Sequence, residues 1–410
     1  MKTIRALGIN YWKYWTASTV SMAASNILQY VLSLYVLDVT GSAVVFAGML
    51  SIILFPRLLL TPLAGVSADR YRRTRIMALV LLCEVLILGI YGVISKTVDL
   101  PLVAIFALVV ALEMGEVFYG ASENAIIPDL VEAEHLKSAI AISKADDGIV
   151  FVISPMVGAL IYSNWNLGIC FLTVAGLNLL GAILLCITKT REHQKNAEEK
   201  KGVLGEFMEG VKIIRGDAFL RRYILSLPLI DACFGATFSV SVCYLLRLVY
   251  RLNAYEYGLY NSVTASMSIW VPIVIVPLVS KWKADHIYKN ATRLIALELA
   301  LIGILALLGI QGILPIPVSV VAITVLDCLT IIEAMPMQMA GSIMIQTKVE
   351  SGFLGRVTST LGMIISVAVA AGEFCFGFLN DSVGVCPAIF IGAVGVGIGS
   401  WIYSSGCKQE

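Results

Sequence analysis

Of the 29 lysines and arginines, 25 fall at the termini or in every second gap between long apolar runs. Only a chain threaded repeatedly through a bilayer needs such sorting, because positive side chains resist translocation. The runs cover 14–37, 43–68, 74–95, 101–127, 146–163, 167–188, 223–246, 257–280, 291–312, 315–345, 354–379 and 383–404. A helix crosses the hydrocarbon core with about 20 apolar residues, and longer ones tilt. The run 146–163 is short and extends backward through 139–145. One set of gaps holds Lys2, Arg5 and Lys13, then Arg70, Arg72, Arg73 and Arg75, then Lys137 and Lys144. It continues with nine basic residues between Lys189 and Arg222, then Lys281, Lys283, Lys289 and Arg293, then Lys348, Arg356 and Lys408. The opposite gaps hold only Lys96, Arg247 and Arg251, and Arg57 lies inside a span. Twelve crossings follow, with both termini cytoplasmic, in a multi-pass protein of the cell membrane.

Hydrophobic residues make up 59% of the chain and charged residues 14%, about half the charged share of a soluble domain. A net charge of +1 excludes a strongly basic nucleic-acid binder. The nine cysteines include no C-x-x-C pair and lie mostly within apolar runs, so they read as small core hydrophobes. His135, His193 and His286 all fall in cytoplasmic gaps. No metal constellation is visible, and no cofactor is expected. The amino end carries Trp12, Tyr14 and Trp15 beside Lys13, which suits an interfacial aromatic belt rather than a cleaved signal peptide.

The only long polar stretch, between Lys189 and Arg222, divides the chain into a six-helix bundle (1–190), a cytoplasmic linker (191–222) and a second six-helix bundle (223–410). Leu204, Phe207, Met208, Val211 and Ile214 recur at helical spacing in the linker, opposite Glu206, Glu209, Lys212 and Arg215. That pattern predicts an amphipathic helix along the membrane surface, primarily a tether. The halves look like repeats. Thr61-Pro62-Leu63 is echoed by Val276-Pro277-Leu278 at an offset of 215, and Leu130-Val131-Glu132 by Lys348-Val349-Glu350 at 218. Leu136 and Leu354 keep the second offset.

The sharpest motif is Gly65-Val66-Ser67-Ala68-Asp69-Arg70-Tyr71-Arg72-Arg73, between the second and third spans. Gly65 is expected to permit close helix approach, and Asp69 to cap a helix or pair with arginine. Arg70 and Arg73 anchor the loop at the anionic cytoplasmic face. With this motif, twelve spans and a charged central linker, the chain resembles the major facilitator superfamily over nearly its whole length.

Tyr35-Val36-Leu37-Asp38-Val39-Thr40-Gly41-Ser42, Ile127-Pro128-Asp129-Leu130-Val131, and Gln346-Thr347-Lys348-Val349 with Leu354-Gly355-Arg356-Val357 narrow the likeness. They resemble drug–proton antiporters of the macrolide-efflux type, a branch that includes bacterial siderophore exporters. The resemblance implies proton-driven export of a small amphiphilic or drug-like molecule by alternating access, in a bacterial monomer. Departures also stand out. Leu112 occupies a place where many antiporters carry arginine, the helix 5 glycine pattern is reduced to Gly148, Pro155 and Gly158, and the second loop signature has decayed to Ser280-Lys281-Trp282-Lys283-Ala284-Asp285.

The intramembrane charges carry the mechanism on this reading, since each costs about 2.5–3.5 kcal/mol on insertion scales and so seeks a partner. Glu113, Glu116 and Glu123 share one helical face of the fourth span, with Tyr119 between them. Arg57 in the second span is expected to face Glu113 or Glu116. A carboxyl balanced between desolvation and an arginine suits proton coupling; a fixed helix lock and recognition of a cationic substrate are the alternatives. Asn26 and Gln29 lie on a polar streak of the first span. The resemblance implies that helices 1, 4, 7 and 10 line the substrate cavity, so Asn26 and Gln29 are either cavity contacts or interhelical glue. Tyr119, Glu123, Asp231, Tyr244 and Glu333 are expected to line the cavity too. Glu298 is expected to pack, Asp38 and Asp381 to be solvated, and Asp146 and Asp147 to join a cytoplasmic charge network. Gly392, Gly395, Gly397 and Gly399 predict close packing of the last span.

No histidine lies within a span, and no phosphate-binding loop or soluble catalytic domain is present, so an enzyme is not expected. The expected partners are protons, a small-molecule substrate and the lipid bilayer. The rival to drug export is movement of a lysophospholipid-like amphiphile or a siderophore.

Overall fold

A computed structural model describes residues 7–190, 203–279, 281–349 and 351–405. Lys2, Arg5, Lys408, Ser280, Glu350 and linker residues 191–202, including His193, lie outside the described residues. In chain order the helices are α1 (Gly8–Thr40), α2 (Ala43–Ile52), α3 (Leu54–Arg70), α4 (Arg73–Ile94), α5 (Leu102–Leu130), α6 (Leu136–Asn164) and α7 (Leu167–Cys186). Further along the chain come α8 (Val203–Gly216), α9 (Ala218–Ala236), α10 (Ala254–Val279), α11 (Ala284–Ile310), α12 (Ile316–Lys348), α13 (Ser351–Val383) and α14 (Val385–Ser404). No strand occurs among the described residues.

Among the described residues, twelve stretches are long and apolar enough to cross a membrane, one for each predicted run. The fifth span, Leu136–Asn164, takes in 139–145 as expected. Helix starts follow local chemistry. Asn166 accepts from the Ile169 amide at 3.0 Å to cap α7, and Asp217 from the Leu220 amide at 2.7 Å to cap α9. Pro101 and Pro315 stand at the N-caps of α5 and α12, where a missing amide proton costs nothing. Val103 is 80% exposed, Leu86 67% and Val394 60%. Large apolar side chains turned outward in this way form a surface suited to lipid.

Two spans are discontinuous in ways the periodicity does not predict. The second breaks at Ile53 into α2 and α3. The seventh passes from α9 into π-helical turns at Thr237–Val242 and Leu245–Val249. Thr237 Oγ1 donates to the Cys233 carbonyl at 2.7 Å where the register widens.

The chain forms two compact units. One gathers the described residues of Met1–Val36, Phe55–Glu199 and Ala254–Ser262. Its core joins Tyr11, Tyr14 and Ala17 of α1 to Met77, Ala78 and Leu81 of α4, Tyr119 and Ile126 of α5, and Ala182 and Leu185 of α7. Gly92 lies against Leu172, where an added Cβ would come within 2.8 Å, so α4 and α7 touch closely.

The other unit gathers the described residues of Leu37–Leu54, Lys200–Asn253 and Val263–Glu410. Here α14 lies directly on the seventh span, as its glycines predict. A Cβ at Gly392 would meet Thr237 Oγ1 at 2.2 Å, one at Gly395 would meet Cys233 Sγ at 2.3 Å, and one at Gly399 would meet Ile230 Cγ1 at 2.5 Å. Gly395→Leu should therefore force α14 off α9, with an overpacking cost of about 1–3 kcal/mol. A thermal shift assay in detergent should show a clear fall in melting temperature. Gly397 has its nearest neighbour at 4.0 Å and should tolerate Ala. The segment expected to be helical forms α8, with Ile214 buried and Met208 60% exposed.

Asp38 and Asp381 are exposed, as expected, and each also has fixed partners. Arg247 donates to both Asp38 oxygens at 2.7 and 2.6 Å. Asp381 accepts from Ser42 Oγ at 2.6 Å and from the Ala43 and Val44 amides at 2.9 and 3.0 Å, capping α2. Their partners stand 209 and more than 330 residues away in sequence, beyond any local pattern.

Candidate functional site

The fourth span, α5, runs unbroken past Glu113, Glu116 and Glu123 within the first unit. Glu113 is buried and accepts from Arg57 Nε of α3. The guanidinium side is open, with 59% of the Arg57 side chain exposed against 9% for Glu113. Of the two partners expected for Arg57, the structure selects Glu113.

One turn on, Glu116, Tyr119 and Glu123 enclose a cavity of about 200 Å³ with Ser21, Met22, Ser25 and Asn26 of α1 and Asp147 of α6. Three acids and no base line it. The Asn26 Nδ2 is buried without a hydrogen-bond partner among the described residues, a donor available to a ligand. The walls are held by α1. Ser18 Oγ donates to Glu123, Thr19 Oγ1 donates to Asp146, and Tyr11 donates to the Ala139 carbonyl of α6 at 2.8 Å. Asp147 also accepts from Lys144 at 2.8 Å, so it joins a charge pair and the cavity wall together. Of the residues expected to line a cavity, Asn26, Tyr119 and Glu123 do so here; Glu116, expected to couple protons beside Arg57, and Asp147, expected in a cytoplasmic charge network, line it as well.

Gln29 is exposed and does not belong to this lining. In the second unit Asp231, Tyr244 and Glu333 are half-buried. Glu333 Oε2 has no hydrogen-bond partner among the described residues, and Glu373 accepts from Ser239 at 3.2 Å beside the π-helical turn. Glu298 is buried, as expected for packing.

The loop motif divides in two. Asp69 and Arg70 are exposed at the end of α3. A Cβ on Gly65 would meet nothing within 4 Å, so the close helix approach expected there is not made in this structure. Arg73 behaves differently from a surface anchor. It is 8% exposed and donates through one nitrogen to Asp129 at 2.6 Å and to the Ala125 carbonyl at 2.9 Å. The start of α4 is thus tied to the end of α5 through the Ile127-Pro128-Asp129 segment. Removing one partner of a buried ion pair costs about 3–5 kcal/mol. Arg73→Ala should lower the melting temperature strongly, and Arg73→Ala/Asp129→Ala should recover part of the loss in the same assay.

A family profile described as Major Facilitator Superfamily matches residues 14–372. The chain belongs to that superfamily. It is a polytopic membrane transporter for small molecules and not an enzyme. The transporter is 25% identical over 386 residues to macrolide efflux protein A of Streptococcus pyogenes, covering 92% of this chain and 91% of that protein. It is 24% identical over 342 residues to macrolide efflux protein A of Enterococcus faecalis, covering 81% and 99%. The crystal structure of the nucleoside transporter NupG shares the fold with a TM-score of 0.78 at 12% identity, over 98% of this transporter and 100% of that chain. A bacterial homologue of the iron transporter ferroportin, in an inward-facing state, does so at 0.75 and 14%, over 97% and 98%.

Proposed function

We infer that this transporter exports a cationic amphiphile by proton antiport. The observation that carries the reading is the cavity walled by Glu116, Glu123 and Asp147 with no basic side chain in its lining. Its volume of about 200 Å³ is below the roughly 300–1,000 Å³ usual for drug-sized ligands. It therefore suits the amine-bearing end of a larger molecule, with Met22 and Tyr119 against the adjoining carbons. The macrolide efflux proteins it resembles support an amine-bearing macrolide as cargo. An anionic siderophore or a lysophospholipid phosphate would face three carboxylates here, which places those cargoes second.

Coupling follows from competition: a carboxyl that binds the cation must release a proton, and one that takes a proton must release the cation. Glu116 and Glu123 serve the cation, while Glu113, held by Arg57, senses the exchange. Bundles 1–190 and 223–410 rock about the linker 191–222, with both termini cytoplasmic and a single chain sufficient. The motif Gly65, Asp69, Arg70 and Arg73 gates that motion. Binding to detergent-solubilised protein tests the cargo class: a tertiary-amine macrolide should compete with a fluorescent quaternary ammonium amphiphile, and a lysophospholipid should not. Displacement by the lysophospholipid alone would reverse the ranking.

A further inference from the structure

Glu84, in the middle of α4, plays no part in the cavity and has no cationic partner in α4, α5 or α7. It is 5% exposed, and its Oε2 accepts from Asn178 Nδ2 of α7 at 2.8 Å. Asn178 is 1% exposed, and its own Oδ1 has no hydrogen-bond partner among the described residues. Its amide thus offers a donor to the carboxyl and keeps an acceptor in reserve. Rotating that amide would let Asn178 accept from a protonated Glu84 as readily as it now donates to an ionised one. The carboxyl's other side abuts α5. A Cβ on Gly115 would lie 3.4 Å from Glu84 Oε1. Glu116 is the next residue, about 100° around the same turn. No Asp, Glu, His, Lys or Arg occurs in α7, and besides Glu84 itself α4 holds only Arg73 and Arg75, both at its start.

We propose that Glu84 is a second proton-binding site of this transporter, exchanging its proton with Glu116 across the Gly115 turn. This rests on the proton-antiport reading above. In the step, the O–H bond of Glu84 breaks as one forms on Glu116, by direct transfer or through one water, and the pair keeps a single negative charge. Glu84 then acts as a store behind the cavity, out of the cargo's reach, and Asn178 reorients to follow its charge. The absence of a side chain at Gly115 is what brings the two acids to one turn.

The experiment uses the full chain in proteoliposomes with a fluorescent quaternary ammonium amphiphile as probe. Glu84→Gln keeps the shape and can still bond to Asn178. It should abolish uptake driven by a pH gradient, while probe-for-probe exchange without net proton movement stays at the wild-type rate. Normal pH-driven uptake by folded Glu84→Gln would overturn the proposal. Wild-type transport indifferent to pH would instead overturn the antiport reading itself. If Glu84→Gln does not fold, Asn178→Leu serves: the pH midpoint of transport should move by about one unit. An unmoved midpoint would reduce the pair to packing.

Discussion

Glu116→Gln should weaken binding of a quaternary ammonium amphiphile about 10–100-fold, since a charge-assisted contact contributes about 1.5–3 kcal/mol. It should also abolish pH-driven export. Glu113→Gln, by contrast, should leave that affinity nearly unchanged and still lose the pH-driven component. The difference comes from geometry: Glu116 lines the cavity, whereas Glu113 is engaged by Arg57 and does not. Equilibrium binding in detergent and transport in proteoliposomes measure the two effects separately. If both variants lost affinity equally, Glu113 would be a cargo ligand. If both exported normally, the acids of α5 would be structural.

Arg57→Ala gives the second large effect. It leaves the Glu113 carboxyl 91% covered and without its partner. A fully buried pair broken on one side costs about 3–5 kcal/mol, and the open guanidinium, screened by its surroundings, reduces that to roughly 1–2 kcal/mol. The melting temperature should fall by several degrees. Arg57→Ala/Glu113→Gln should restore it, because no uncompensated charge remains. The double variant should still fail to couple transport to pH. Restored stability together with restored pH-driven transport would show that the pair only locks α3 to α5.

Sequence reading went furthest where a residue's cost in lipid was its own signal. Twelve apolar runs, the sorted lysines and arginines, and an arginine stranded in the second span admit few arrangements. The Arg57–Glu113 contact was legible for that reason. The glycines of α14 were legible because small residues at helical spacing imply contact. Glu84 carries the same signal as Glu113, an acid within an apolar run, but its partner Asn178 lies 94 residues on and is uncharged, so the sequence shows no pairing for it. Arg73 hid among neighbouring loop arginines that look alike in sequence, and only its burial against Asp129 separates it. The break at Ile53 and the π-helical turns after Ala236 leave no mark in the hydrophobic period, because Pro56 has no amide proton for the Ile52 carbonyl and a Thr237 back-bond accompanies the wider turns. Gly65 predicts a helix contact that this structure does not make.

Proton movement against a cation gradient is the decisive quantity. Proteoliposomes holding a pH-sensitive dye, with no pH gradient at the start, are loaded with the quaternary ammonium amphiphile, which carries no proton of its own. As the probe leaves, the lumen should acidify in wild-type vesicles and stay unchanged with Glu116→Gln. Probe efflux through the wild-type protein with no change of luminal pH would contradict proton antiport.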